Sequence, residues 1–256
     1  MISEPFATGS SIVHQLDPRI RVGFTILYAF VVALSYQFSV LIAALVLSAI
    51  LILISQVSIK EVFKRIVMVN ALIVLLWVIL PFSFHGDVLT RMGSFAIYRP
   101  GVTLAAQITL KSNAILLAFI ALVATMPIAT LGHALHRLRV PEKIVHLLLM
   151  TYRYIFVIEQ EYKRLLRAAK IRGFQPGTNL NTYRTYSYAI GMLFVRSAAR
   201  AERVHQAMLC RGFKGKFYSL QEFKAGMAGG LFSIIMTVLI IGLIVMEVSK
   251  GKVFFV

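Results

Sequence analysis

Residues 22–59, "VGFTILYAFVVALSYQFSVLIAALVLSAILILISQVSI", contain 38 residues and not one charged side chain. As a single helix the run would be on the order of 55 Å long. A bilayer hydrocarbon core is only about 30 Å thick. The polar interruption "SYQFS", Ser35–Ser39, lies near its middle, so the run reads as a hairpin of two short membrane spans. The rest of the composition agrees: 59% of residues are apolar and 14% charged, with a mean hydropathy of +0.80. An ordinary soluble domain carries about a quarter charged residues.

Three further uncharged or nearly uncharged runs follow. Ile66 to Phe84 is a third span, with Trp77 and Phe82 towards one end. A fourth lies within Ser112–Gly132, with a possible extension back to Thr103. Its Pro127 is expected to kink or end the helix unless a neighbour satisfies the freed carbonyl. Ala225 to Met246 is the fifth. The expected fold class is an all-α integral membrane protein of about five transmembrane helices, with a cytoplasmic platform of long amphipathic helices. The domain reading is 1–132 for four spans, 133–224 for the cytoplasmic helical region, and 225–256 for the last span and C-terminus. Glu4 comes early, and no basic leader precedes a small-residue cleavage site; no removable signal is expected.

The net charge is +17, from 27 basic and 10 acidic residues. In a soluble chain this would point to nucleic acid; in a membrane chain it reports topology, because cytoplasmic loops retain Lys and Arg. His133 to Lys224 holds 17 of the 27 basic residues and five acids. The shorter loop with Lys60, Lys64 and Arg65 falls on the same side when five spans are counted. That side is expected to be cytoplasmic, with the N-terminus inside and "KGKVFFV" outside. The opposite loop His85–Arg99 is nearly balanced, with Asp87 against Arg91 and Arg99. The single cysteine, Cys210, excludes an internal disulfide and a cysteine metal cluster.

The basic region has helical periodicity. After Pro141, Leu148, Tyr152, Ile155, Tyr162, Leu166 and Ala169 recur at three- to four-residue steps, predicting a helix to about Arg172. "GFQPGTNLN" breaks it. A second helix is predicted over roughly Tyr186 to Arg211, with Ala189, Ser197, Ala198, Ala199 and Ala201 small enough for close approach of another helix. A shorter amphipathic piece, "ATLGHALHRLRV", precedes both. The two long helices end alike: "RLLRAAKIRGF" from Arg164 and "RVHQAMLCRGF" from Arg203 agree at five of eleven positions, thirty-nine residues apart. Each Arg-Gly-Phe suits a helix stop, with Gly173 or Gly212 left-handed and Phe174 or Phe213 folding back. Arg172 and Arg211 then sit favourably at the negative end of the helix dipole. A helix stop does not explain the repeat, nor the shared Arg-x-x-x-Ala approach at Arg164/Ala168 and Arg203/Ala207. Two cationic helix tips suit paired acidic grooves on a two-fold partner, because Arg offers a planar fork for carboxylates.

Over nearly its whole length the chain resembles the transmembrane T components of energy-coupling-factor transporters, in particular the CbiQ branch linked to cobalt and nickel. The resemblance is carried by "HQLDPRIRV", "TMPIATLGHALHRLRVP", "LLLMTYRYIFVIEQE" and the two Arg-Gly tags. The family's tags are Ala-Arg-Gly or close variants; here Ile171 and Cys210 stand in the alanine place. The resemblance implies a non-catalytic subunit in a prokaryotic cell membrane that passes ATPase motion to a substrate-binding membrane S component. It implies an ABC-type ATPase dimer as cytoplasmic partner, docked at Arg172 and Arg211, with Gly173 and Gly212 shaping the ends and Ala168 and Ala207 supporting them. ATP would belong to those partner subunits: no G-x-x-x-x-G-K-[ST] sequence occurs in this chain, and no cofactor is expected on it. Cobalt or nickel is implied by the branch; a vitamin transporter is the alternative.

Other constellations carry less. His133 and His136 stand three apart without a third ligand nearby, beside Arg137, so no metal site is expected. His14 beside Asp17 reads as a cap or surface contact, and Asp17-Pro18 as a helix start. Glu159, Glu161 and Arg153 suit salt bridges within or between helices, Asn70 and Asn113 interhelical hydrogen bonds, and Lys111 snorkelling to the interface. Glu247 is placed at the membrane edge. A membrane enzyme is opposed by the absence of H-E-x-x-H, G-x-S-x-G or paired carboxylates. Binding of anionic lipid or nucleic acid through the basic region fits the charge but does not require tags at helix tips; lipid is an expected partner and nucleic acid is not.

Overall fold

The computed structural model describes residues 16–83, 88–92, 95–214 and 227–250. His14, Asp87 and residues 251–256, each given a role above, lie outside them. The described chain forms two compact units. One contains α1 (Pro18–Leu34), α2 (Phe38–Ser55), α3 (Ile59–Ser83), strands β1 (Val88–Met92) and β2 (Phe95–Tyr98), α4 (Arg99–Phe119), α5 (Ile128–Arg137) and α8 (Met227–Lys250). The other contains α6 (Glu142–Ile171) and α7 (Leu180–Cys210). The unit boundary falls at residue 139, so α5 groups with the membrane helices, whereas the sequence-based division is at 133.

Among the described residues, four helical runs are long and apolar enough to cross a membrane: Phe38–Ser55, Ile59–Ser83, Arg99–Ala124 and Gly229–Ser249. Five spans were expected; α1, the expected first span, is not among these four, having 17 residues and carrying Arg19 and Arg21 in its first turn. The lipid as solvent explains the stripe Ile42, Val46, Ile50 and Leu53 on α2, each 47–68% exposed. In water such a patch would drive association.

The break between α1 and α2 falls at Ser35–Gln37, inside the "SYQFS" interruption. Pro18 occupies the first helical turn, and the Asp17 carboxylate accepts from the Arg19 N–H at 3.0 Å, capping α1 as expected. The Tyr28 hydroxyl, wholly buried, donates to the Ala44 carbonyl at 2.7 Å and ties the hairpin together. α2 packs on α4 through Ala44 and Ser48 on one side and Ala114 and Ala118 on the other, all fully buried or nearly so. Such small pairs, four residues apart, let backbones approach where lipid supplies no hydrophobic drive.

α3 and α4 are joined by polar bonds. Asn70 Nδ2 donates to Asn113 Oδ1 at 3.0 Å, and Asn113 Nδ2 returns a bond to Asn70 Oδ1 at 3.1 Å. Trp77 Nε1 donates to Thr109 Oγ1 at 3.0 Å. Close packing is enforced at Gly101, where a Cβ would lie 2.4 Å from the Leu80 carbonyl oxygen. Between the helices, residues read above as a plain loop form a short antiparallel hairpin, with Val88 opposite Tyr98 and Met92 opposite Phe95. Its "FAIY" strand has the aromatic and β-branched composition that suits extended backbone.

The fourth span begins and ends earlier than expected. Pro100, in the first turn of α4, sets its start. Lys111 obscured the continuity; its amine reaches the Ala33 carbonyl at 2.8 Å and lies 4.4 Å from the Tyr36 ring centroid. At its far end α4 widens into a π-helical turn, Ile120–Ala124, and Pro127 caps the next helix instead of kinking this one. Met126 N–H bonds to the Val123 carbonyl at 3.1 Å, and Pro127 has no N–H, so the Leu122 carbonyl turns to a side chain. Arg21 Nε donates to it at 2.8 Å. The same guanidinium donates to Thr125 Oγ1, whose hydroxyl bonds back to the Ala121 carbonyl at 3.0 Å.

In the second unit, α6 and α7 form a helical hairpin. α7 starts at Leu180, six residues before the sequence-based start. Asn179 is the reason: its Oδ1 accepts from Thr182 N–H at 3.0 Å and from Thr182 Oγ1 at 2.6 Å.

Candidate docking site

The two long helices end in the same backbone geometry. At the end of α6, Gly173 N–H bonds to the Lys170 carbonyl at 3.0 Å and Phe174 N–H to the Ala169 carbonyl at 3.1 Å. At the end of α7, Gly212 N–H bonds to the Leu209 carbonyl at 2.9 Å and Phe213 N–H to the Met208 carbonyl at 3.1 Å. This pair of bonds is the Schellman ending, which needs a left-handed residue after the cap. Gly173 and Gly212 supply it at φ +83° and +82°. The cap residues match too: Arg172 has φ −85° and ψ 17°, Arg211 φ −89° and ψ 10°. The repeated tag is therefore a repeated shape, and both arginines leave it from the same backbone conformation.

Both arginine side chains are exposed. Among the described residues, no carboxylate pairs with either guanidinium. Ile171 is 87% exposed and Cys210 is exposed, so both residues in the tag's alanine place face outward. Ala168 and Ala207 are exposed on the last turns. The Ala168 carbonyl accepts from Arg172 N–H at 3.3 Å, whereas Arg211 N–H reaches Met208 at 3.1 Å. The small side chains leave the flank of each tip open.

Upstream of the tips, Glu161 on α6 collects three arginines. Arg196 of α7 donates to it, Arg200 Nη2 of α7 lies 3.9 Å from it, and Arg164 Nη1 of α6 lies 3.5 Å from it. The Arg196 hydrogen bond, with the positive charges around it, holds the Glu161 carboxyl below its ordinary value of 4.5. Glu159 pairs with Lys163 one turn on, which lowers its carboxyl as well. Arg153 takes no part in either group. Nearer the turn, Phe174 meets Tyr186 edge-on at 5.7 Å.

The membrane unit holds the remaining polar residues named above. Glu247 Oε1 accepts from Tyr36 N–H at 2.9 Å, and Gln107 Nε2 donates to the Tyr36 carbonyl at 2.8 Å. Together with Lys111, they gather α4 and α8 around the α1–α2 turn. His133 and His136 are half-buried on α5, and among the described residues no group of three metal-ligating side chains occurs. Sequence reasoning assigned Arg21 no role, yet it is 2% exposed. A signal existed: Arg21, Thr25, Tyr28 and Val32 fall on one helical face, and all are buried.

Comparison with known proteins agrees with this architecture. Residues 9–222 match the family model described as "Cobalt transport protein", CbiQ. An energy-coupling factor transporter transmembrane protein EcfT of Ruminiclostridium cellulolyticum is 24% identical over 82% of this chain and 82% of its own length. The EcfT protein of Brevibacillus brevis is 27% identical over 82% and 83%. The cobalt transport protein CbiQ of Rhodobacter capsulatus is 28% identical over 45% and 47%. With residues 9–222 matched and, among the described residues, four helices long and apolar enough to cross a membrane, this multi-pass cell-membrane protein is a T-type transport component and belongs to the cobalt transport protein family CbiQ.

Proposed function

We propose that this chain is the coupling subunit of an energy-coupling-factor ABC importer for cobalt or nickel. The observation that carries the reading is the pair of matching, exposed arginine tips on two long helices. Each guanidinium offers a planar fork to a carboxylate in an acidic groove. Two tips of one shape suit an ATPase dimer with equivalent grooves. ATP is bound and hydrolysed on those partners, in the cytoplasm. Their closure displaces the tips, and α6 and α7 pass the motion to a substrate-binding membrane subunit. The metal is carried by that subunit; cobalt is favoured by the family match and by the CbiQ relative. This chain performs no chemical step.

The test is the double charge reversal Arg172→Glu with Arg211→Glu, expressed with the ATPase and substrate subunits. Truncating one partner of a desolvated charge pair costs roughly 2–5 kcal/mol. Co-purification of the ATPases and uptake of radiolabelled cobalt are therefore expected to fall to background, with membrane levels of the chain unchanged. Undiminished uptake would sink the proposal. A graded, salt-sensitive loss from any basic substitution would favour an anionic surface as the partner.

A further inference from the structure

We propose that Glu161 is the positioning residue that sets the spacing of the two arginine tips, acting through Arg196 and Arg200 as a clasp between α6 and α7. The inference rests on the coupling reading for its consequence but not for its geometry. Glu161 takes both interhelical ion-pair partners from α7, Arg196 by hydrogen bond and Arg200 at 3.9 Å. Its side chain is 12% exposed, against 39% for Glu159, whose partner Lys163 lies on its own helix.

The placement is symmetric. Glu161 lies eleven residues before Arg172, and Arg200 lies eleven residues before Arg211. At 1.5 Å per residue each tip is about 16 Å along its helix from the clasp. The acid and the base thus occupy equivalent places just before the two copies of the repeat, and they lie 3.9 Å apart. A joint equally far from both tips transmits a displacement of one to the other with equal leverage. The Phe174–Tyr186 contact lies beside the turn, where by itself it would leave the two arms free to pivot.

Magnitude separates this role from simple stabilisation. The arginines facing Glu161 are 39–66% exposed, and exposed ion pairs contribute little to folding. Removing the clasp should therefore alter tip spacing while leaving the chain folded. Glu161→Gln keeps the shape and removes the charge. Glu161→Arg places four arginines together, and adding Arg196→Glu restores one acid among three bases.

Spin labels on Cys210, the only cysteine in the chain, and on an Ile171→Cys variant report tip spacing, both sites being exposed. The full-length chain is measured in lipid nanodiscs by electron–electron double resonance. The parent is expected to give one narrow distance distribution. Glu161→Gln and Glu161→Arg should broaden or shift it, and Glu161→Arg with Arg196→Glu should restore it. In the complete transporter, unlabelled Glu161→Gln should still retain the ATPases, while cobalt moved per ATP falls about two- to thirtyfold, the range for residues within a coupling network. An unchanged distance distribution in Glu161→Gln, or no recovery in the exchanged pair, overturns the clasp. A response in distance alongside undiminished uptake in the double tip reversal would instead retain the clasp and discard the transport reading.

Discussion

Replacing Arg21 with methionine tests the main long-range strap in the membrane unit. The substitution keeps most of the side-chain length and removes two donors, one to the Leu122 carbonyl at 2.8 Å and one to Thr125 Oγ1. Thr125 is not orphaned, because its hydroxyl still bonds to the Ala121 carbonyl at 3.0 Å. Leu122 is: Met126 N–H is engaged by Val123, and Pro127 offers no N–H. A buried acceptor left without a donor costs about 1–3 kcal/mol. Part of this is offset by no longer burying a cation, so a net loss of about 1–2 kcal/mol is expected. For a chain of this size that corresponds to a fall of about 2–8 °C in melting temperature, read by thermal unfolding in detergent. Arg21→Lys is the discriminating companion. It keeps a donor for the Leu122 carbonyl but offers a point charge instead of a fork, so it should melt between the parent and methionine. A methionine variant melting with the parent would refute the strap.

Two further outcomes follow from the packing and from the charges. Gly101→Ala would place a Cβ 2.4 Å from the Leu80 carbonyl oxygen; the resulting separation of α3 and α4 should cost about 1–3 kcal/mol, seen as a lower melting temperature, and a parent-like melt would contradict the close approach. Glu161, facing Arg164, Arg196 and Arg200, has its carboxyl held below 4.5. Its contribution is fully present above the ordinary value and is lost as pH falls through the lowered folded value. The spacing of labels at Cys210 and residue 171 should be constant at neutral pH and change only in acid below 4.5, whereas Glu161→Gln should show the altered spacing throughout.

Several elements were legible in the linear chain because their causes are local. An uncharged run too long for one span must break, and "SYQFS" marks the place; α1 ends at Leu34 and α2 begins at Phe38. Asp17-Pro18 begins a helix through bonds made within two residues. Gly173 and Gly212 end helices because the left-handed conformation disfavours any residue with a Cβ. The start of α7 is also local, yet "GFQPGTNLN" reads as turn throughout unless Asn179 is paired with Thr182. The fourth span was misplaced because hydropathy treats Lys111 as a boundary, although its amine is spent on the end of another helix.

Other features were beyond such reading because their partners are remote in sequence. Composition, charge asymmetry and the two tags were enough to reveal membrane helices, a basic helical region and the shape of both tips, since hydropathy and helix capping act over a few residues. Arg21 becomes a strap only because folding brings Leu122 to it from 101 residues away. Glu161 becomes a clasp only because the hairpin places Arg196 beside it from 35 residues away. Such roles depend on two surfaces meeting in one register, and neither segment carries that register by itself.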